Sequence, residues 1–431
     1  MSISFMPVRG SVEDLPALQL QGLKWTVSHA YNNSPLYRRK LDAAHVAPTQ
    51  IRSLDDLQRL PFTTAKDLQE DYPFPLRAVP FEKIVRIHAS SGTTGKRKVL
   101  CYTQKDIDDW ANMFARCFEM ARLTTADRVQ IAVGYGLWTA GVGFQLGCER
   151  FGAMAVPVGP ANTEMHCQLL EDLQSTVFCS TASMAILIAE EIERRGLRDR
   201  LCLKKFIFGA ERHSAKMRER IRNITGVEHL FDIPGLTELY GPGTGLECMA
   251  HQGVHYWADY YILEIINPET LEPALPGEIG EMVVTSLRKE GSPVIRYRTR
   301  DLTRLLPDPC PCGNPLPRHD HILGRSDDMF IFRAVNIYPG QIEHVLGQIP
   351  GASSEYQVHL QRREDGRDIM VLKVERLGGG APEAQARLAQ DISDEVRRQI
   401  MVRAQVEIVE HGSLPRTERK SKRVFDYRNG F

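Results

Sequence analysis

Short apolar runs alternate with longer amphipathic stretches through the first three quarters of the chain. The apolar runs are typical of buried strands, and the amphipathic stretches repeat hydrophobic residues at helical spacing. The predicted strands span residues 128–133, 153–158, 176–179 and 206–208, and the predicted helices span 138–151, 163–173, 183–195 and the segments after Thr103 and Ser214. This alternation predicts a parallel sheet covered by helices on both faces.

A different pattern begins beyond Gly253. Strands are predicted at 260–266, 281–286 and 294–298, which favours an antiparallel β region. Residues 327–431 carry a pattern of their own, with strands at 356–360, 370–375 and 405–409 and a helix at 384–400. We therefore predict an α/β protein with a large N-terminal domain over residues 1–326 and a small, mobile α+β lid over residues 327–431.

Composition and charge narrow the class of protein. The 54 basic residues balance 54 acidic ones, so no global field attracts the chain to nucleic acid or to a membrane surface. No signal peptide and no apolar stretch of membrane-spanning length is visible. We therefore expect a cytoplasmic protein, in which the nine cysteines are reduced thiols or metal ligands rather than a disulfide framework.

One loop has the composition of a phosphate site. It reads Ser90, Ser91, Gly92, Thr93, Thr94, Gly95 and Lys96. The glycines allow the backbone to approach a ligand, the hydroxyls donate hydrogen bonds, and the lysine adds charge. Two residues separate the glycines, which excludes a Walker A loop, and extended flanks predict a loop between two strands. The alternative is a Ser/Gly/Thr-rich turn that binds nothing.

Four further motifs follow this loop in a fixed order. They are residues 235–241 (GLTELYG), 297–301 (YRTRD), 324–328 (GRSDD) and 415–420 (PRTERK). In this order the five motifs resemble the core motifs of the acyl-adenylate-forming enzymes. Residues 134–138, 162–165 and 324–339 further resemble the phenylacetate–coenzyme A ligases and their aryl relatives. The resemblance covers essentially the whole chain.

The resemblance implies an ATP-dependent ligase with two steps. An aromatic carboxylate of the phenylacetate type attacks the α-phosphorus of ATP to give acyl-AMP and pyrophosphate, and the thiol of coenzyme A then displaces AMP. Lys96, Thr237 and Glu238 are the implied catalytic residues of the body, with Glu238 as the ligand of Mg²⁺ and Thr237 at the α-phosphate. For an isolated Thr-Glu pair, the alternative is a simple surface cap.

The resemblance also implies the contacts of the nucleotide. Besides the loop, the implied nucleotide-binding residues are Gly209, Ala210, Glu211, Asp232, Tyr240, Asp301 and Arg325. Asp301 corresponds to the acid that accepts hydrogen bonds from both ribose hydroxyls. Its alternative role is pairing with Arg298 or Arg300. The segment 209–211 is implied to line the adenine face, beyond the carboxyl end of a strand.

The lid is implied to bring a lysine to the reacting groups. Lys420 corresponds to the lysine that reaches the α-phosphate, and Lys422 is the second candidate, because Arg419 stands where relatives usually have glycine. Asp327 corresponds to the hinge between the adenylating and thioester-forming positions. Ala334 also stands where relatives usually have glycine, which narrows the expected path of the thiol.

The implied acyl pocket is lined by Tyr135, Trp138, Thr139 and Phe144. Their alternative role is plain core packing. Trp138 is bulkier than the phenylalanine expected there, so an aryl or arylalkyl acid is predicted rather than phenylacetate alone.

A separate set of residues has the chemistry of a zinc site. Cys248, His255, Cys310 and Cys312 supply three thiolates and one imidazole, with His251 as the replacement for His255. Four protein ligands would make it a structural Zn²⁺ clamp. The alternative is a group of unrelated reduced cysteines.

Two alternative functions remain open at the level of sequence. One is an adenylate-forming enzyme with an acceptor other than coenzyme A. The other is a non-catalytic nucleotide- or acyl-binding relative, which would have little use for Lys96, Glu238, Asp301 and Lys420. The expected partners are an aromatic acid, ATP and coenzyme A, with neither nucleic acid nor membrane, and a homodimer is also expected.

Overall fold

A β hairpin carries the predicted phosphate loop. The computed structural model describes residues 4–7, 14–90, 97–211, 213–333, 335–362, 368–378, 382–415 and 423–428. Strands β1 (Arg86–Ala89) and β2 (Val99–Tyr102) pair in antiparallel register, with Ala89 opposite Val99. The prediction of a loop between two strands is therefore confirmed.

The predicted parallel sheet is present. Its strands are β3 (Arg128–Ile131), β4 (Met154–Val156), β5 (Val177–Thr181), β6 (Lys205–Gly209) and β7 (His229–Ile233). They lie in the order β4-β3-β5-β6-β7, and all four pairs are parallel. The residues at the centres of β5 and β6 are fully buried, as expected for strands covered on both faces.

Helices cover this sheet and form the N-terminal part of the body. They are α1 (Leu15–Asn33), α2 (Pro35–Ala43), α3 (Ala65–Glu70), α4 (Gln104–Met120), α5 (Ala140–Phe151), α6 (Thr163–Asp172), α7 (Ala182–Arg195) and α8 (Ala215–Thr225). Side-chain caps fix where several begin. Asn162 accepts a hydrogen bond from the backbone of Met165, and Ser214 accepts one from Met217. Both helices therefore start at the residues that the sequence indicates.

The β region consists of short hairpins and two antiparallel sheets. The strands are β8 (Gly235–Leu236), β9 (Gly241–Pro242), β10 (Gly245–Glu247), β11 (Val254–Tyr256), β12 (Tyr261–Ile266), β13 (Gly280–Ser286), β14 (Tyr297–Thr303), β15 (Leu305–Leu306), β16 (Arg318–His319) and β17 (Gly324–Arg325). One sheet has the order β12-β13-β14-β17 and the other β10-β11-β16-β15. Strand β14 begins at Tyr297, later than predicted, because Arg296 has a positive φ of 42°.

The C-terminal part has its own hydrophobic core. It contains β18 (Phe330–Phe332), β19 (Val335–Ile337), α9 (Pro339–Gln348), β20 (Ala352–Arg362), β21 (Asp368–Arg376), α10 (Pro382–Ile400), β22 (Gln405–Val409) and β23 (Val424–Asp426). A mixed sheet of order β22-β21-β20-β23 packs against the two helices, with Tyr356, Ile342 and Val396 buried between them. Helix α9 and strands β18, β19 and β23 were not predicted from the sequence.

Polar contacts join α8 and its neighbour α7 to this C-terminal part. The ammonium of Lys216 donates to the carbonyl oxygens of Ile349 (2.9 Å) and Ala352 (2.6 Å). His411 lies 3.4 Å from the Glu190 carboxylate. A cleft of about 330 Å³, lined mainly by charged and polar residues, runs along this seam.

In the described part of the chain, every helix is too short or too polar to cross a membrane.

Candidate functional site

Backbone hydrogen bonds hold the residues that flank the phosphate loop. Ser90 N–H donates to the Lys98 carbonyl (3.1 Å), and Ala89 N–H donates to the carbonyl of Leu137 (2.8 Å). The predicted phosphate contacts at residues 91–96, Lys96 among them, lie outside the described residues. The base of the hairpin therefore sets where the loop begins and ends.

Glu238 lies against the exit of this loop. Its carboxylate pairs with the Lys98 ammonium and accepts a hydrogen bond from the Tyr297 hydroxyl at 2.7 Å. Burial raises the pKa of Glu238, but Lys98 and the Tyr297 hydrogen bond outweigh it and lower the pKa below its usual value. The buried acid is therefore an anion at neutral pH.

A buried lysine holds the backbone of the segment that carries Glu238. Lys289 is fully buried, and its ammonium donates to the Glu238 carbonyl oxygen at 3.2 Å. It lies 4.5 Å from the ring centroid of Tyr102 and 5.1 Å from that of Tyr240, which are cation–π distances. Burial, opposed by the attraction of Asp106, lowers the pKa of Lys289 to about 8.

Tyr240 contributes its ring to the cation–π contact with Lys289. Its side chain is fully buried. The Tyr102 hydroxyl donates to the Tyr240 carbonyl oxygen at 2.9 Å and reaches the Thr237 carbonyl oxygen at 3.4 Å. Thr237 is half-buried at the edge of the same segment. The assignment of Tyr240 to nucleotide binding stays a prediction.

The carboxyl end of β6 leads directly into the predicted adenine face. A Cβ atom at Gly209 would lie 2.1 Å from the Ile233 carbonyl oxygen, so only glycine permits this close packing. Ala210 follows with a positive φ of 66°, a conformation that costs energy for any residue with a side chain. Glu211 accepts a hydrogen bond from the Ser183 backbone at 2.9 Å, and burial raises its pKa.

Asp232, on the neighbouring strand β7, is held by two imidazoles. His321 Nδ1 lies 2.9 Å from its carboxylate and His213 Nε2 lies 3.6 Å away. Burial raises the pKa of Asp232, but His213 and His321 outweigh burial and depress it well below its usual range. Its backbone N–H donates to the Glu247 carboxylate at 2.9 Å, which ties β7 to β10.

Asp301 and Arg325 face each other across β14 and β17. The strands place the two residues in register, and their side chains approach to 3.2 Å. Arg325 also contacts Asp327, the predicted hinge, at 2.9 Å. The predicted ribose acid, its cationic neighbour and the start of the lid thus form one chain of ion pairs.

The arginines expected as alternative partners of Asp301 contact another acid. Arg298 and Arg300 lie 2.8 and 3.4 Å from the buried Glu281 carboxylate. Arg325 therefore pairs with Asp301, the role considered above for Arg298 and Arg300.

The four predicted acyl-pocket residues lie at different depths. Tyr135 and Trp138 are half-buried, whereas Thr139 and Phe144 are buried. The Phe144 ring packs 4.9 Å from that of Phe114, so core packing accounts for its position. The Tyr135 hydroxyl is buried without a hydrogen-bond partner among the described residues, and burial raises its pKa to about 12.

The predicted lid lysine lies outside the described residues. Lys420 and its alternative Lys422 lie in the segment 416–422, and both this segment and Ala334 are outside the described residues. Their roles stay predictions.

The predicted zinc ligands come together, although they are far apart in the sequence. Cys248, His255, Cys310 and Cys312 place their ligand atoms within 4.8 Å of one another. His251, the alternative ligand, contacts the Glu247 carboxylate at 3.1 Å instead.

Lys98, Tyr297 and Lys289 were missed by the sequence analysis. Tyr297 opens a motif in which only Asp301 was assigned, and Lys98 follows Lys96 at the two-residue spacing of a strand, so both had a detectable signal. Lys289 had none, because a single charged residue beside Arg288 is typical of an exposed turn.

Comparison with known proteins identifies the family. The AMP-binding enzyme family matches residues 27–287, and the AMP-binding enzyme C-terminal domain matches residues 334–428. The chain is 44% identical to the phenylacetate-coenzyme A ligase of Escherichia coli (strain K12) over 97% of this chain and 96% of that protein. It is 42% identical to the corresponding ligase of Aromatoleum evansii, over the same shares of both chains. The chain belongs to the phenylacetate–coenzyme A ligase family.

Solved structures agree with this family assignment. The chain superposes on 2-hydroxyisobutyryl-CoA ligase in the postadenylation state, in complex with R3-HIB-AMP, with a TM-score of 0.87 at 29% identity, over 98% of this chain and 90% of that one. The thioesterification state of the same enzyme, with 2-HIB-AMP and CoA, gives a TM-score of 0.69 at 29% identity, over 99% and 91%. The predicted α/β fold and the predicted AMP-forming acid–coenzyme A ligase are confirmed.

Proposed function

We propose that this phenylacetate–coenzyme A ligase relative acts on an aromatic carboxylic acid of the phenylacetate type. The acid is converted to acyl-AMP with release of pyrophosphate, and the acyl group then passes to coenzyme A with release of AMP. The observation that carries the assignment of the reacting centre is the meeting of Glu238, Lys98 and Tyr297 at the exit of the phosphate loop.

Glu238 is the residue that would hold Mg²⁺. The ion binds hard oxygen ligands and usually keeps waters beside one carboxylate and the substrate phosphates. The Glu238 carboxylate is ionised and already accommodates the Lys98 ammonium, so its chemistry fits a cation. When bound, Mg²⁺ neutralises charge on the triphosphate.

The loop and its exit supply positive charge and fixed donors. Attack on the α-phosphorus places negative charge on the departing pyrophosphate, so electrostatic stabilisation matters more than proton transfer. We assign this work to Lys96, Lys98 and the loop hydroxyls, with Thr237 at the α-phosphate. Lys289 holds the backbone under Glu238 and acts as a positioning residue.

The nucleoside would lie along the carboxyl edge of the sheet. Asp301 accepts hydrogen bonds from the ribose diol, while Arg325 orients its carboxylate. Gly209 packs closely against β7 and has no side chain, so the adenine would contact the backbone at this position. Ligands of open α/β sheets bind beyond the carboxyl ends of the strands, which agrees with this placement.

We assign the described arrangement of body and lid to the adenylating side of the reaction. Its support is the higher similarity to the postadenylation state than to the thioesterification state of one and the same enzyme. Rotation at Asp327 would then remove Lys420 from the α-phosphate and admit the thiol of coenzyme A. The domain boundary at 326–327 is part of this proposal.

The acyl group would lie beside Tyr135, Trp138 and Thr139. The two aromatic rings offer flat apolar surface to an aryl group, and the Tyr135 hydroxyl is a buried polar atom that a substituted acid could engage. We therefore include hydroxylated arylacetates among the candidate substrates. The cytoplasmic location and the homodimer stay predictions.

The test is a substrate screen with two readouts. Pyrophosphate release is measured for phenylacetate, benzoate, indoleacetate and hydroxylated analogues, and the acyl thioester is identified by mass spectrometry with and without coenzyme A. Glu238→Gln and Lys420→Ala should each lower acid-dependent pyrophosphate release on the order of 100-fold. The matched control is Glu383→Gln, which replaces an exposed carboxylate on α10 by a carboxamide and should leave the rate unchanged.

Two results would contradict the proposal. Unchanged pyrophosphate release in both variants would remove the assigned reacting residues. Acyl transfer to another acceptor, with no thioester formed in the presence of coenzyme A, would replace the proposed second step.

A further inference from the structure

Two separations within the Cys/His cluster match those between ligands of a tetrahedral zinc site. Cys248 Sγ lies 3.5 Å from Cys310 Sγ, and Cys312 Sγ lies 3.4 Å from His255 Nε2. Around zinc, with Zn–S of about 2.3 Å and Zn–N of about 2.0 Å, tetrahedral ligand atoms stand about 3.5–3.8 Å apart. A disulfide requires about 2.05 Å between sulfurs, and all nine cysteines are free. The two separations therefore fit a shared ion and exclude a bond between the thiols.

Two different structural elements build the cluster. Cys248 follows β10 and His255 lies on β11, and the antiparallel pairing of Leu246 with His255 fixes their separation. Cys310 and Cys312 lie on the loop after β15, which Gly313 turns back with a φ of 76° and a hydrogen bond from its N–H to the Cys310 carbonyl (3.0 Å). The ligands thus connect a sheet to a loop that has little regular structure of its own.

The hydrogen bonds around the cluster prepare its atoms for a cation. His255 Nδ1 lies 2.8 Å from the Leu316 carbonyl oxygen, which can only accept, so the proton is on Nδ1 and the Nε2 lone pair faces the sulfurs. The Asn314 backbone N–H donates to Cys312 Sγ at 3.4 Å. Such a donor stabilises a thiolate rather than a thiol. The orientation of the His255 imidazole and the N–H donor to Cys312 both suit metal ligands. Unrelated reduced cysteines would not need either feature.

We propose that Cys248, His255, Cys310 and Cys312 bind one structural Zn²⁺ ion. Three thiolates and one imidazole select zinc over the hard cations Mg²⁺ and Ca²⁺. All four positions are filled by protein side chains, so no position remains for an activated water. The ion fastens the loop after β15 to the β10–β11 hairpin.

The clamp also reaches the edge of the parallel sheet. Glu247, the residue before Cys248, accepts hydrogen bonds from the Asp232 backbone (2.9 Å) and from Arg218 (2.7 Å). Fixing Cys248 therefore fixes the carboxylate that holds β7 in position. The ion is a support of the β region and takes no part in the chemistry at Glu238.

The metal content of the full-length protein tests the site directly. The protein is expressed with zinc in the medium, freed of loosely bound metal by gel filtration and assayed by plasma mass spectrometry. The wild type and Cys202→Ser, an exposed cysteine away from the cluster, should each hold about one zinc ion per chain, and Cys310→Ser and Cys312→Ser should lose most of it.

A second measurement does not depend on whether those variants fold. In the Cys202→Ser protein, zinc is removed with a chelator under reducing conditions and replaced by Co²⁺, whose tetrahedral thiolate sites show sulfur-to-metal charge-transfer bands and intense visible bands. Removal of zinc should also lower the Tm. Absence of zinc together with absence of the cobalt bands would overturn the proposal, as would full zinc content in both cluster variants. A Tm that does not change on zinc removal would overturn the structural role. These readouts are independent of pyrophosphate release, so zinc binding and the proposed function can fail separately.

Discussion

Replacing Lys289 with methionine should change how the stability of the protein depends on pH. Methionine keeps the length of the side chain and removes the buried charge between Tyr102 and Tyr240. In the folded protein the pKa of Lys289 is lowered to about 8 by burial, against 10.5 for the free side chain. Between these values the unfolded chain binds more protons than the folded chain, so rising pH favours the folded state.

The expected magnitude follows from the size of the pKa shift. Each pH unit in this window contributes about 1.4 kcal/mol, so the free energy of unfolding of the wild type, relative to Lys289→Met, should rise by about 3 kcal/mol between pH 8 and 10.5. Below pH 8 and above pH 10.5 the difference should be constant. Below pH 8 the buried ammonium lowers the free energy of unfolding of the wild type by its full amount, and the variant has no such charge.

Urea unfolding of the two proteins, followed by tryptophan fluorescence at a series of pH values, measures this difference. Taking the difference between wild type and variant cancels the titration of groups that both share. Lys66→Met, which removes a lysine whose side chain is 81% exposed, is the matched control for loss of a lysine charge. A flat difference for Lys289→Met, or one that falls with rising pH, would refute the assignment of a buried, charged lysine.

Two further variants test the reacting centre and the ribose contact, and a third tests the packing of β6 against β7. Tyr297→Phe removes the 2.7 Å hydrogen bond to the Glu238 carboxylate and should lower kcat/KM for pyrophosphate release about tenfold, with little change in the melting curve. Asp301→Asn should raise KM for ATP about tenfold and leave KM for the acid unchanged, and equal changes in both would argue against a ribose contact. Gly209→Ala places a methyl group 2.1 Å from the Ile233 carbonyl oxygen and should destabilise the protein by about 1–3 kcal/mol in urea unfolding, whereas unchanged stability would show that β6 and β7 can separate.

Local patterns in the sequence were sufficient for much of the fold. The parallel strands could be predicted because buried strands are apolar along their length, and the starts of α6 and α8 could be predicted because Asn162 and Ser214 cap them. The strand predicted at 294–298 is interrupted at Arg296, which has a positive φ. An arginine in the sequence does not indicate such a backbone conformation. The proposed zinc ligands could be chosen from residue chemistry, but their meeting depends on the pairing of β10 with β11 and on the loop after β15.

Long-range packing explains what could not be predicted. Lys289 is buried because Tyr102 and Tyr240 close over it, and those three residues are more than 40 positions apart in the chain. Tyr240 lies in a motif that indicates a ligand site, yet its ring points into the interior. A motif locates a segment at a site, whereas the register of the segment decides which side chains face the ligand.

Polar contacts join α7 and α8 to the C-terminal part, among them the hydrogen bonds of the Lys216 ammonium to two backbone carbonyls. Water can replace such contacts when the surfaces separate, whereas an apolar seam would expose surface that water solvates poorly. In the proposed rotation of the lid, the breaking of these polar contacts should therefore add little to the change in heat capacity. Polar groups exposed in this way remain hydrated, which would disfavour self-association of the proposed open form.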